Sequence, residues 1–119
     1  MSPAEKARLL EQALVEKGGL DLRVLDLGEE TAFTDFFVIA TGTSDRHVQT
    51  LSEVAVAVAR GAGEKPLGVE GTRTGRWILV DLGDVVVHLF REEAREFYGL
   101  ERLWGDDEPT GSQAAEAAP

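Results

Sequence analysis

Residues Trp77 to Trp104 read WILVDLGDVVVHLFREEAREFYGLERLW. Two apolar runs, Trp77 to Leu82 and Val85 to Phe90, are joined by Gly83-Asp84. Two such runs separated by a glycine-containing pair are the pattern of a β-hairpin, and Leu82-Gly83 fits the central pair equally well. Successive strand side chains point to opposite faces, so Ile78, Val80 and Leu82 share one face and Trp77, Leu79 and Asp81 the other. The first face has the composition of a core. The second carries a Trp, a Leu and an acid, which is the composition of an interface hot spot with a charged rim. A Trp77 buried under a helix fits the same pattern. Arg91 to Tyr98 reads as a short charged helix, and the stretch ends in large side chains: Tyr98, Leu100, Leu103 and Trp104. No cysteine, phosphate-binding glycine loop or nucleophile beside a base occurs in it. The stretch describes a surface, which favours a binding protein over an enzyme.

Upstream, Ser2-Pro3-Ala4-Glu5 has the form of a capping box with Pro at the first helical position. A helix is expected to about Lys17, stopped by Gly18-Gly19, with Ala7, Leu10 and Leu14 on one face. Leu20 to Leu27 alternates as a strand with a phase slip at Val24-Leu25. Phe36 to Thr41 is a nearly continuous apolar run, as expected of a central strand. Phe36 and Phe37 must then point to opposite faces, and Asp35 is placed to cap a turn. Gly42-Thr43-Ser44-Asp45 caps a second helix with Val48, Leu51, Ala55 and Val58 as its buried stripe, ended by Gly61 and Gly63. Residues 64 to 76 read as a loop with one short extended piece. The order α-β-β-α-β-β-α implies a single α/β domain over residues 1–104, with a mixed sheet flanked by helices. Strand 36–41, helix 45–61 and strand 77–82 are expected to make one right-handed crossover. Residues 105–119, GDDEPTGSQAAEAAP, are too polar and small to bury anything and read as a disordered acidic, Ala-rich tail.

The chain has 119 residues, enough for one core, with 12 basic and 22 acidic side chains for a formal net charge of −10. Four of the acids lie in the tail, so the body keeps about −6 by simple count. Nucleic-acid binding normally begins with Lys and Arg neutralising phosphates, and no basic run is present to do this. A basic protein partner suits the charge better than RNA or DNA, although solubility alone also accounts for it. No window approaches the roughly 18 apolar residues of a membrane span, and the N-terminus lacks the layout of a secretory signal. The absence of cysteine excludes disulfide and thiolate chemistry and fits a cytoplasmic location.

One glycine-hydroxyl pattern with two later carboxylates, and the two histidines, are the candidates for chemistry. Gly42-Thr43-Ser44 followed by Asp81 and Asp84 resembles a nucleotidyltransferase site, with the glycine and hydroxyl holding a triphosphate and the carboxylates holding metal ions. Metal-binding acids on one strand face are spaced i and i+2, whereas Asp81 and Asp84 are three apart across a turn. An N-cap role for Ser44 or Thr43 and a turn role for Asp84 explain the residues better. His88, in VVVHLF, has no Cys or suitably spaced carboxylate for a zinc site and no nucleophile to serve as a base, so it reads as a strand residue on the less buried face. His47, in the first turn of a helix, reads as exposed. No catalytic residue, cofactor or metal site is expected.

Several of these runs carry a family resemblance. DFFVIATGTSDRH (residues 35–47), Glu70-Gly71, Trp77, DLGDVVVH (residues 81–88) and REFYGLERLW (residues 95–104) resemble the ribosomal silencing factors, the Iojap-related family. The resemblance spans about residues 4 to 104. It implies a nucleotidyltransferase-like α/β fold without the enzyme's active site. It also implies binding to the large-subunit ribosomal protein uL14 at the face that meets the small subunit. The bound factor would block subunit joining by steric exclusion and lower translation when nutrients are short. Trp77, Asp81, Tyr98, Leu100 and Trp104 match the family's aromatic and acidic surface positions. With Leu79 from the strand-face reading, they form the expected partner-binding set. An active nucleotidyltransferase using Gly42, Ser44, Asp81 and Asp84 is one alternative. A homodimer, joined through a sheet edge or the Trp77 face, is another.

Overall fold

The computed structural model describes residues 1–28 and 34–94. Their elements are α1 (Pro3–Glu16), β1 (Leu20–Asp26), β2 (Phe36–Gly42), α2 (Asp45–Gly61), β3 (Gly68–Glu70), β4 (Trp77–Asp81) and β5 (Val85–Arg91). Local chemistry sets most boundaries. Ser2 Oγ accepts from Glu5 N at 3.1 Å while Glu5 Oε1 accepts from Ser2 N at 2.8 Å, which completes the capping box. Gly18, at φ 84°, ends α1 in the left-handed conformation that glycine adopts without a Cβ penalty. Ser44 caps α2 by accepting from His47 N at 3.0 Å.

The five strands form one mixed sheet in the order β1-β2-β5-β4-β3. Only β2 and β5 pair in parallel; the other neighbours are antiparallel. This corrects the expected crossover. β4 neighbours β5 and β3, not β2, and runs antiparallel to β2, so strand 77–82 cannot close a crossover with strand 36–41. The hairpin instead inserts its second strand, β5, beside β2. That placement buries VVVHLF at the centre of the sheet, beside the apolar run of β2.

Both helices pack on one sheet face. Ala7, Leu10 and Leu14 of α1 and Val48, Leu51, Ala55 and Ala59 of α2 meet Val38, Ala40, Ile78, Val80, Leu82, Val85, Val87 and Leu89. Ala59 rather than Val58 completes the inner row of α2, as a period of 3.6 requires over three turns. Gly42 sits where a Cβ would come within 2.7 Å of Val48 Cγ2, so α2 lies close against the end of β2. The opposite face carries a smaller cluster of Leu25, Leu27, Phe37, Ile39, Phe90 and Ala94, with Trp77 and Val86 partly buried against it.

This second cluster explains β1. Its apparent phase slip is no break: Leu22 and Val24 face the helices, Leu25 and Leu27 the other cluster, and both faces are occupied. The irregularity lies earlier, between Leu20 and Arg23, where Asp21 has φ 51°. Arg91, expected to open a helix, is the last residue of β5; helical backbone begins at Glu92. The rest of that expected helix, and the 105–119 tail, lie outside the described residues.

Candidate docking face and the residues around it

α1 and α2 lie on the other side of the sheet from Trp77, Leu79 and Asp81, while the helical turn that begins at Glu92 sets Ala94 in the same cluster as Trp77. All three side chains are half-buried and alternate with the buried Ile78 and Val80, so the sequence assigned the two faces of β4 correctly. Pairing sets what surrounds them. Trp77 lies opposite Phe90, Leu79 opposite His88 and Asp81 opposite Val86 on β5. Leu79 also lies opposite Glu70 on β3. Tyr98, Leu100 and Trp104 lie outside the described residues.

Trp77 proves to be neither a free anchor nor a core side chain. Its ring stacks on Phe90 at 5.2 Å between centroids, and its indole N–H donates to His88 Nδ1 at 3.2 Å. The inner edge of the indole is thereby fixed while part of the ring remains at the surface, a preorganised geometry for an aromatic contact.

His88 was expected on a less buried face, but it is only 4% exposed. Phe37 meets it edge-on at 4.5 Å and Phe90 lies parallel at 6.2 Å. Burial without a charged partner pushes its pKa down to about 4, so the imidazole is neutral at pH 7. Because Nδ1 accepts from Trp77, the ring proton sits on Nε2, which is buried with no hydrogen-bond partner among the described residues. A sequence signal existed: every side chain flanking His88 in VVVHLF is large and apolar.

His47 was expected to be exposed but is half-buried and bridges two elements. Its Nδ1 accepts from Thr43 N at 2.9 Å, and its Nε2 donates to Lys17 O at 2.9 Å, which joins the end of α1 to the start of α2. Sequence reasoning also missed Lys6, only 3% exposed, whose ammonium bonds Glu64 and Asp84, each at 2.6 Å. Burial works against its charge, but the hydrogen bonds that its ammonium donates to Asp84 and Glu64 outweigh that penalty and raise its pKa. The signal was again present, because Lys6, Leu10 and Leu14 are spaced at i+4 and share one helix face.

The groups of the nucleotidyltransferase pattern are committed elsewhere. Ser44 Oγ holds His47 N, and Thr43 N is held by His47 Nδ1. Asp81 Oδ1 accepts from Gly83 N at 2.9 Å, whereas Asp84 Oδ1 accepts from Lys6 Nζ. The two carboxylates therefore serve different partners, one shaping the hairpin turn and the other neutralising α1. The turn itself has Gly83-Asp84 as its central pair: Leu82 N donates to Val85 O at 2.9 Å, and Gly83 has φ 90°.

Comparison with known proteins agrees with this arrangement. The family model described as "Ribosomal silencing factor during starvation" matches residues 1–118. Ribosomal silencing factor RsfS of Halalkalibacterium halodurans is 38% identical over 106 residues, which covers 89% of this chain and 91% of that protein. The chloroplastic protein Iojap of Zea mays is 35% identical over 103 residues, 84% of this chain and 43% of that one. A crystal structure of a Chromobacterium violaceum protein superposes with a TM-score of 0.87 at 37% identity, covering 92% of this chain and 91% of the other. The chain belongs to the ribosomal silencing factor family.

Proposed function

We propose that this protein docks on the large ribosomal subunit through the basic ribosomal protein uL14 and, by occupying the joining face, excludes the small subunit and lowers translation under nutrient limitation. The observation that carries this reading is that Trp77, Leu79 and Asp81 lie in line along β4 on the sheet face opposite α1 and α2. A held aromatic, an aliphatic side chain and a carboxylate suit a partner that offers apolar surface beside positive charge. The net charge of −10 favours encounter with a basic protein. A body of about 100 residues is roughly 30 Å across, wide enough to prevent close approach of a second subunit. Exclusion of this kind needs no chemistry, and the commitment of Asp81, Asp84 and Ser44 to structural bonds supports a non-enzymatic role.

Leu79 gives the cleanest test because it contributes no side-chain hydrogen bond to the fold. Leu79→Arg should melt close to wild type yet lose co-sedimentation with purified large subunits and lose inhibition of subunit joining. Wild-type co-sedimentation by Leu79→Arg would remove this face from the interface. Incubation with labelled nucleoside triphosphates and magnesium should give no transfer; transfer abolished by Asp81→Ala would reinstate the enzyme. A homodimer is the second reading, favoured by the edge strand β3, where Val69 is 38% exposed, and by Leu67 just before it, which is 74% exposed. Sedimentation equilibrium on wild type and Val69→Lys tests it.

A further inference from the structure

Trp77 is held at two levels. Its backbone is fixed by the loop before β4: Gly71, at φ 87°, lies where a Cβ would collide with the Trp77 carbonyl oxygen. Its side chain is held from β5. The ring stacks on Phe90 with centroids 5.2 Å apart, and its N–H donates to His88 Nδ1 at 3.2 Å. β3 pairs with β4 from Leu79 to Asp81, so the register puts no β3 residue opposite Trp77. The two side-chain restraints do different work. A stack sets the tilt of the ring but lets it slide or turn over in its plane. A directional N–H bond decides which edge points inward.

Fold stability does not account for an imidazole at position 88. Phe37 meets it edge-on and Phe90 lies parallel to it, so its surroundings are apolar. Nε2 is buried with no hydrogen-bond partner among the described residues. Moving the ring proton to Nδ1 would not help, because Nε2 would then be an acceptor without a donor and Nδ1 could no longer receive the indole. A buried polar atom left unpaired destabilises a fold. Leucine, close to histidine in volume, would fill the same site and bury nothing polar. Among the described residues the imidazole makes one hydrogen bond, and it runs to a half-buried side chain on the candidate docking face.

Indole has a single donor. With His88 holding it, Trp77 offers a partner ring carbon and π-surface. These suit the aliphatic stem and the cationic head of a Lys or Arg side chain, which a basic protein supplies. Resting on the docking reading above, we infer that His88 is a positioning residue of the docking contact: its Nδ1 holds the Trp77 indole in the orientation that the ribosomal partner meets. His88 itself is 4% exposed and acts through Trp77.

Two substitutions separate positioning from packing. His88→Leu keeps the apolar fill and removes the acceptor. His88→Asn places its amide oxygen on Cγ, where Nδ1 stands, and so restores the acceptor while keeping a buried polar group. Stability should rank leucine above asparagine; binding should rank them in the opposite order. Affinity for purified large subunits should fall by about three- to tenfold in His88→Leu, the factor expected when one further side chain must be ordered on binding, and recover in His88→Asn. Exchange of the Trp77 indole proton with water, read by NMR and assigned by its loss in Trp77→Phe, should be slow in wild type and His88→Asn and fast in His88→Leu. His88→Met, whose flexible side chain fills irregular gaps, replaces the leucine variant should that one fail to fold. Wild-type affinity in a folded apolar variant whose indole proton exchanges fast would overturn the inference. So would a slow-exchanging indole in that variant, or affinities that follow stability. Leu79→Arg separates the two readings. If it loses binding while the apolar His88 variant does not, the docking face stands and the positioning role fails. If it binds as wild type does, the docking face fails and the positioning role falls with it.

Discussion

A neutral, buried histidine beside a half-exposed tryptophan makes the pH response of this protein specific. Unfolded, His88 has its ordinary pKa of 6.5; folded, burial lowers it to about 4. Between those values the unfolded chain binds the extra proton, so His88 costs nothing above pH 6.5 and destabilises the fold as pH falls towards 4. A shift of that size corresponds to a loss on the order of 3 kcal/mol. His88→Gln should remove this part of the acid response. Urea unfolding of both proteins at pH 7 and pH 4 measures the difference, and parallel losses would show that His88 does not titrate this way. The Trp77 bond belongs to the same unit. Trp77→Phe keeps the stack on Phe90 but leaves His88 Nδ1 buried without a donor, at a cost of about 1–3 kcal/mol. Adding His88→Leu should recover part of that loss in thermal unfolding.

At the scale of elements, α1 is held partly by charge. Lys6 Nζ reaches Asp84 on the β4–β5 turn and Glu64 just after α2, so one ammonium joins three parts of the fold. The partners are unequal: Lys6 is almost fully buried, whereas Glu64 and Asp84 keep access to water. The two possible disruptions should therefore differ. Glu64→Ala with Asp84→Ala leaves a buried cation without a partner and should cost about 3–5 kcal/mol. Lys6→Met removes the charge and leaves two acids that water can solvate, so it should cost less than half as much. Chemical denaturation of both variants checks the asymmetry; equal losses would mean that the acids, not the lysine, bear the penalty. The sheet shows the same division. Its helix-covered face carries the larger core, and its other face is left to the aromatic cluster around His88.

Across the whole molecule, acidic residues outnumber basic ones by 22 to 12. Long-range attraction between an acidic protein and a basic partner accelerates encounter and is screened over about 10 Å at 0.1 M salt. Association of this protein with isolated uL14 should therefore slow as salt rises, while dissociation changes little. Stopped-flow measurements separate the two rates. A salt effect confined to dissociation would place the electrostatics inside the contact instead.

The elements governed by neighbours in sequence were legible before any tertiary contact was known. Ser2 and Glu5 cap α1, Ser44 caps α2, Gly83-Asp84 turns the hairpin, and Ile78, Val80 and Leu82 face the core. Each follows from hydrogen bonds spanning a few residues or from a side-chain period. The family was legible too, because its long runs are contiguous. What only the tertiary structure decided depends on residues far apart in the chain. Inserting β5 between β2 and β4 is a choice among pairings that the apolar runs allow equally. His88 became buried because Phe37 and Trp77 closed on it from different strands. Lys6 kept its charge because Asp84, 78 residues away, reached it. Periodicity reveals which face of an element is apolar, but not which distant group will neutralise, cover or join it, because that is set by packing between elements.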